Sequence, residues 1–262
     1  VNSPPGGAVA AELAGRLLRV PVVVDWWDDR PSDAASRYRL AARGADAVLT
    51  PARTVRTRVW EHGAPEDAVT VVPESVDFDA VRDAPVDDRF DLVYSRRLDR
   101  HANVETFLLG LAELRGRDWN AAVIGDGPER AAAERTASDL RIDDRVTFLG
   151  DLPVAERIPL FRGAHVAAWT ATRETFATDL LRALACGCVG LVEYQAGSSA
   201  HELVEGRERS SLVTSPAELA AEIADASALD HRTVDEGYAE YDHDAVLETV
   251  LDRYRALLHG ES

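Results

Sequence analysis

The residues best equipped for chemistry fall in three short stretches. The first, Ser95-Arg96-Arg97-Leu98-Asp99-Arg100-His101, concentrates guanidinium groups. A planar guanidinium fork suits phosphate oxygens, and the same charges also serve as solvent-exposed loop residues. The second, Gly125-Asp126-Gly127-Pro128-Glu129-Arg130, follows directly on an apolar run. Glycines at 125 and 127 let backbone amides approach a ligand, and a helix N-terminus after a strand attracts anions. A tight turn is the plain alternative. The third, Arg173-Glu174-Thr175-Phe176, precedes a helical pattern. Glu174 there complements the positive end of the helix dipole. Arg182, on the same helix, has Asp179 three residues before it, the spacing of a surface ion pair. His101 and His201 could move protons, but lone histidines also serve structural ends.

These stretches need strands and helices to hold them. Apolar runs at 20–24, 47–49, 69–72, 91–94, 121–124, 146–149, 166–169 and 189–192 predict buried strands. Helices are expected between them. Thr50-Pro51 reads as an N-cap and first helical position, with Val55 and Val59 inward and Gly63 at the end. Pro128 suits the first position of another helix. Asn103 reads as the cap of a helix whose inner face is Val104, Phe107, Leu108, Leu111 and Leu114. Phe176, Leu180 and Leu184 make one stripe of the next helix, stopped by Gly187. His201-Glu202 begins a further helix, and Ser215-Pro216-Ala217-Glu218 reads as a capping box. Asp242 caps a last helix with Val246, Leu247, Val250, Leu251, Tyr254 and Leu258 on one side. Repeated strand–loop–helix–strand units predict α/β architecture with parallel sheets and ligands at the strands' C-terminal ends.

Net charge is −17, and all 29 basic residues are arginine. Such acidity argues against a nucleic-acid partner, which needs a basic face. Dense surface carboxylates keep a chain soluble in high salt, so the composition reads as halophilic, from an acidic proteome. Cys186 and Cys188 lack a second pair for zinc, so no metal is expected and both read as small buried residues. No apolar run approaches the length of a membrane span, and no signal peptide is visible. A cytoplasmic protein is expected, with peripheral association at the inner membrane face as a variant. The sequence has no methionine. That reads as a chain starting inside a longer protein, or as one whose initiator was removed.

The stretch from Arg173 to Val189 resembles the donor segment of retaining GT-B glycosyltransferases, family 4 in particular. That family reads Glu-Gly-Phe-Gly, then Glu-Ala-x-Ala-x-Gly-x-Pro-Val. Glu174, Phe176, Ala183, Ala185, Gly187 and Val189 match. Thr175 and Ala177 replace the glycines, and Arg182 replaces the second Glu. The family's Gly-Arg-Leu, then Lys-Asn-Val, is similar to Arg96-Arg97-Leu98 and Ala102-Asn103-Val104, with the lysine lost. Residues 45–81 resemble the end of the family's N-terminal domain, and Gly125-Asp126-Gly127-Pro128 its Gly-x-Gly-Pro.

The resemblance implies two Rossmann-like domains, the first incomplete. Residues 1–78 would form the partial acceptor-side domain, 79–90 a linker, 91–240 the nucleotide-sugar domain and 241–262 a helix packing back on the first. It implies sugar transfer from a nucleotide-diphosphate donor with retention and no cofactor. The alternative is a catalytically weak GT-B-like partner subunit. Glu174 would be the catalytic residue, accepting hydrogen bonds from donor sugar hydroxyls. Arg96, Arg97, Arg100, Gly125, Gly127, Arg173, Thr175, Phe176, Arg182 and Glu202 would line the donor. Arginine cannot accept ribose hydroxyls. Arg182 therefore pairs with Asp179, reaches a phosphate, or marks a decayed nucleotide site. Trp27 and Asp28 would face the acceptor, a glycan or lipid-linked molecule, although Trp27 also suits a packed strand end. A missing N-terminal segment, a partner chain or a homodimer is expected to complete the first domain, because a half-domain leaves a strand edge unpaired.

Overall fold

The computed structural model describes residues 5–27 and 35–259. It divides into two compact units, one of residues 1–75 with 243–262 and one of residues 76–242. The first unit runs α1 (Pro5–Leu18), β1 (Val23–Asp25), α2 (Ala35–Gly44), β2 (Ala47–Thr50), α3 (Arg53–Glu61) and β3 (Val69–Val71). Its strands form a parallel sheet in the order β1-β2-β3. Of the expected 20–24 run only Val23 and Val24 are strand, and β1 extends to Asp25. Val55 and Val59 are buried on α3 as expected, but its cap is displaced. Thr50 ends β2, and the N-cap position falls to Ala52 with no side-chain bond.

The second unit begins earlier than the expected linker allows. Residues 78–83 form α4 (Phe78–Asp83), capped by Asp77, whose side chain accepts from the Ala80 amide at 2.8 Å. Phe78 and Val81 are fully buried in this unit's core. Proline and acidic residues on either side conceal a single turn that carries two anchors. There follow β4 (Leu92–Ser95), α5 (Val104–Glu113), β5 (Ala121–Ile124), α6 (Arg130–Asp139), β6 (Val146–Gly150) and α7 (Val154–Gly163). Next come β7 (Val166–Trp169), α8 (Thr178–Ala185), β8 (Val189–Glu193), β9 (Ser210–Val213) and α9 (Pro216–Ala226). The last helix, α10 (His243–His259), belongs to the first unit.

The second sheet is parallel throughout, in the order β6-β5-β4-β7-β8-β9. Alternate strand residues face opposite layers. Val93, Ala167 and Val192 join the core under α4, α7 and α8, while Leu92, Tyr94, Val166 and Leu191 join the one under α5 and α9. Both faces are covered, which is why these strands read as unbroken apolar runs. The five inward residues expected on α5 are all buried. Strand β9 was not foreseen, since Ser210-Ser211 masks its apolar end.

Several local expectations need correction. Phe176 precedes α8 and is half-buried, so the helix stripe starts at Leu180. Pro128 lies before α6, whose N-cap is Glu129. Glu202 sits in a 3-10 turn rather than a helix. In the Ser215 box, Ser215 Oγ accepts from the Glu218 amide at 3.2 Å, but Glu218 reaches back to the Thr214 amide at 2.7 Å, one residue beyond the cap. On α10, Val246 is buried, whereas Leu247, Leu251 and Leu258 are exposed. The inward line is narrower than the sequence stripe.

Cys186 and Cys188 are fully enclosed beneath α7. Burial pushes the Cys186 thiol up to about 12 and Cys188 well above the usual thiol range. Thiol reagents at pH 8 are expected to label neither residue in the folded protein and both after unfolding, as counted by mass spectrometry.

Candidate functional site

Numbered from β4, the second sheet has the order 3-2-1-4-5-6. Strand order reverses between β4 and β7, and in such sheets ligands bind at that reversal, beyond the strands' carboxyl ends. The chain leaving β4 there is Arg96-Arg97-Leu98, and the chain leaving β7 is Thr170 to Glu174. Two of the three stretches singled out by residue type therefore meet at one crevice.

They meet through an ion pair. Arg96 Nε donates to Glu174 Oε2 at 2.9 Å, and the two side chains are only 11% and 19% exposed. Arg96 Nη1 donates to Asp99 Oδ1 at 2.9 Å, and Nη2 to the Arg173 carbonyl at 3.0 Å. Arg96, standing at the family's glycine, thus clamps the two loops together. Asp99, not anticipated from sequence, also accepts from the His101 amide at 2.8 Å. Burial raises the Glu174 carboxyl above the ordinary range, while the charge and hydrogen bond of Arg96 oppose that rise. Burial also works to raise Asp99, yet its bonds from Arg96 and the His101 amide hold it below the usual range.

A pH prediction follows. Removing the opposing cation with Arg96→Gln lifts the Glu174 carboxyl further. On acidification, ligand binding that needs the carboxylate should then fail at a higher pH than in the parent protein. Titrations of ligand affinity between pH 4 and 8 check this; an unmoved acid limb would separate Glu174 from binding.

The Gly125 stretch joins the same edge. Its positive φ values, +128° at Gly125 and +157° at Gly127, favour glycine. A Cβ at Gly125 would lie 2.0 Å from the Arg96 carbonyl oxygen, and one at Gly127 2.2 Å from that of Leu98. The Arg96 amide donates to Ile124 O at 2.9 Å and the Leu98 amide to Asp126 O at 3.0 Å. The Gly125 amide is taken by Gly150 O and that of Gly127 by Asp126 Oδ1, each at 2.7 Å. These glycines let two loops share backbone, and neither amide is presented for a ligand. Gly125→Ala is expected to cost about 2–3 kcal/mol of stability in chemical denaturation.

The remaining candidates divide. Arg97 is exposed, and its guanidinium makes no hydrogen bond or ion pair among the described residues. Arg100 is exposed and donates from Nε to His101 Nε2 at 3.0 Å. Arg173 and Phe176 are half-buried, and the Thr175 carbonyl accepts from Ser199 Oγ at 2.6 Å. The Glu174 amide donates to Gly197 O and its carbonyl accepts from the Ser199 amide, which ties this loop to the turn holding Glu202. His201 Nδ1 lies 2.9 Å from the Ser198 carbonyl oxygen, a structural contact. Asn103 makes no side-chain bond to the helix backbone. Its Nδ2 donates to Thr170 O at 2.9 Å and Glu193 Oε2 at 2.8 Å, bracing the ends of β7 and β8.

Arg182 is not at the surface pair expected. Its Nη1 does donate to Asp179 Oδ1 at 2.7 Å, but Asp179 is buried. Asp179 Oδ2 also accepts from Ser95 Oγ at 2.7 Å and Arg157 Nη1 at 2.5 Å. One carboxylate therefore ties β4, α7 and α8 under the crevice. Trp27 belongs to the first unit, where its Nε1 donates to Asp25 Oδ1 at 2.8 Å, and Asp28 lies outside the described residues. Among the described residues there is no group of three or more potential metal ligands, and no helix is long and apolar enough to cross a membrane.

Reversed strand order, with arginines and an acid at its crevice, defines a doubly wound α/β protein with a ligand crevice at the reversal. The family model for glycosyl transferases group 1 matches residues 77–239, and that for a glycosyl transferase 4-like domain matches residues 1–74. The chain belongs to the glycosyl transferases group 1 family. It is 26% identical over 242 residues to a 2-deoxystreptamine glucosyltransferase of Streptomyces kanamyceticus, covering 81% of this chain and 62% of that protein. It is 28% identical over 195 residues to a GDP-mannose-dependent phosphatidylinositol monomannoside mannosyltransferase of Mycolicibacterium smegmatis, covering 66% of this chain and 50% of that protein. The chain thus spans less than two thirds of these curated relatives. Among solved structures it is similar to Anabaena Alr3699/HepE in complex with UDP, with TM-score 0.82, 18% identity, and coverage of 97% of this chain and 77% of that one. That likeness shows the GT-B fold.

Proposed function

We propose that this chain carries out glycosyl transfer from a nucleotide-diphosphate sugar, with retention of configuration. The observation that carries the reading is the convergence of Glu174 with the Arg96–Arg97 loop at the strand-order reversal. Arg97, exposed and unengaged, meets the diphosphate, with Arg100 nearby in sequence. Fixed cations there stabilise the charge that develops on the leaving diphosphate. Glu174 accepts hydrogen bonds from the sugar's hydroxyls. The reading is supported by a solved neighbour that holds UDP and a curated relative that uses GDP-mannose, which leaves the base open.

One observation favours a catalytically weak binding subunit instead. Where the family has a ribose-holding carboxylate, Arg182 is tied to Asp179 and offers only donors. Calorimetric titration with UDP, GDP and ADP, followed by assay of the corresponding glucose or mannose donors, separates the readings. Binding with turnover that falls at least about tenfold in Glu174→Gln supports the enzyme, tenfold being about 1.4 kcal/mol. Binding without turnover supports the subunit. No binding of any nucleotide removes both.

A further inference from the structure

Helix α10 carries apolar residues on two faces. One face packs on the rest of the first unit. There Val246 is buried, Val250 is half-buried, and Arg253 Nη2 donates to the Asp67 carbonyl at 2.9 Å. The other face holds Leu247, Leu251, Tyr254 and Leu258, each between 41% and 74% exposed. Contiguous exposed apolar side chains on a folded chain mark an interaction surface. These four are spaced four, three and four residues apart, which is the spacing of the seam between two paired helices. Glu248 and Arg255, both exposed and one heptad apart, border that seam on its outer side. Charge is also divided along the helix: Asp244, Glu248 and Asp252 precede Arg253 and Arg255.

We infer that α10 pairs with α10 of a second copy of this chain, antiparallel about a two-fold axis. Turned end for end, the seam complements itself. Leu247 meets Leu258 of the second copy, and Leu251 meets its Tyr254. The same rotation sets Glu248 of each copy beside Arg255 of the other, giving two equivalent ion pairs. Arg255 Nη1 also holds Asp252 on its own helix at 2.8 Å, and a guanidinium has further donors to offer. A parallel pair would stack each seam residue on its own duplicate and bring Glu248 to no arginine. Opposed helix dipoles favour the antiparallel arrangement as well. A lipid surface fits the stripe less well, because anionic headgroups would meet Glu248 at its border and a net charge of −17 behind it. That charge also opposes the approach of two copies, and salt screens the long-range part of it.

The test uses the whole chain at about 0.15 M salt, where charges in contact still act on one another. Sedimentation velocity from low micromolar to sub-millimolar protein should show a monomer–dimer equilibrium. Leu251→Asp puts a charge into the seam and should raise the dimer Kd at least about tenfold. Glu248→Arg and Arg255→Glu each turn two attractions into two repulsions, and each should weaken the dimer about tenfold. Mixed in equal amounts, these two variants should associate with each other to within about threefold of the parent affinity, because every altered charge then faces its opposite. All three substitutions fall on exposed side chains, and circular dichroism confirms the fold. A chain that stays monomeric throughout overturns the inference, and so does a dimer that tolerates Leu251→Asp. Variants that fail to recover association on mixing overturn the antiparallel pairing. A monomeric chain that binds phosphatidylglycerol vesicles, and loses that binding in Leu251→Asp, would give the stripe to a lipid surface instead.

Discussion

Replacing Asp179 by alanine is expected to lower unfolding stability by about 3 kcal/mol, the lower end of the cost of breaking a buried ion pair. The buried carboxylate serves three donors from three elements. Its loss strands Arg182 and leaves the Ser95 hydroxyl, 5% exposed as a residue, without its acceptor. Arg157 keeps Asp151 and the Leu152 carbonyl, which is why the higher end is not expected. Urea denaturation checks the figure, and the melting temperature should fall by roughly 6–12 °C. Arg182→Met should cost less, because Asp179 retains Ser95 and Arg157. Arg182→Glu, which restores the family residue, places a second carboxylate beside a buried one. Any gain toward ribose is then offset by repulsion. A loss below about 1 kcal/mol in Asp179→Ala would show that the network does not hold the crevice.

The second large effect contrasts neighbouring arginines. Arg97→Ala should weaken nucleoside diphosphate binding by about 10–100-fold, the worth of one charge-assisted contact of about 1.5–3 kcal/mol. It should leave stability unchanged, because the exposed guanidinium has no partner to lose. Arg96→Ala should do both, since it leaves Glu174 and Asp99 without their shared cation. Paired denaturation and calorimetry on the two variants decide this. Equal stability losses would mean that Arg97 has an internal role, and full-strength UDP binding in Arg97→Ala would take it out of the donor site.

The strands and helices were legible because the second sheet is buried on both faces, so its runs stand out in any composition. What stayed hidden had local causes. Phe78 and Val81 sit amid proline and acid, and a six-residue helix shows too little periodicity to register. Strand β9 opens on Ser210 and Ser211, paired with Gly190 and Leu191 of β8, so it lacks an apolar run. At the candidate site, Glu174 and Arg97 were legible from a matched motif. Asn103 and Asp179 were not, because their roles come from partners up to 90 residues away, and Asp99 was not, because its local bonds matter only once Arg96 reaches across to Glu174. Asn103 stands at the expected helix start but does not cap it with its side chain. Its left-handed backbone, φ 52°, aims the amide across the sheet edge instead of onto the helix.

The glycine turn after β5 carries an implication for engineering. Because Gly125 and Gly127 lie against the main chain of Arg96 and Leu98, the segments following β4 and β5 form a matched set. Replacing the turn after β5 by a segment without glycine at both positions would drive a Cβ into the main chain after β4. The segment after β7 is moored differently, by main-chain bonds from Thr172 to His101 and between Glu174 and the 197–199 turn together with the Arg96 side chain, with no glycine contact of this kind to the segment after β4 among the described residues.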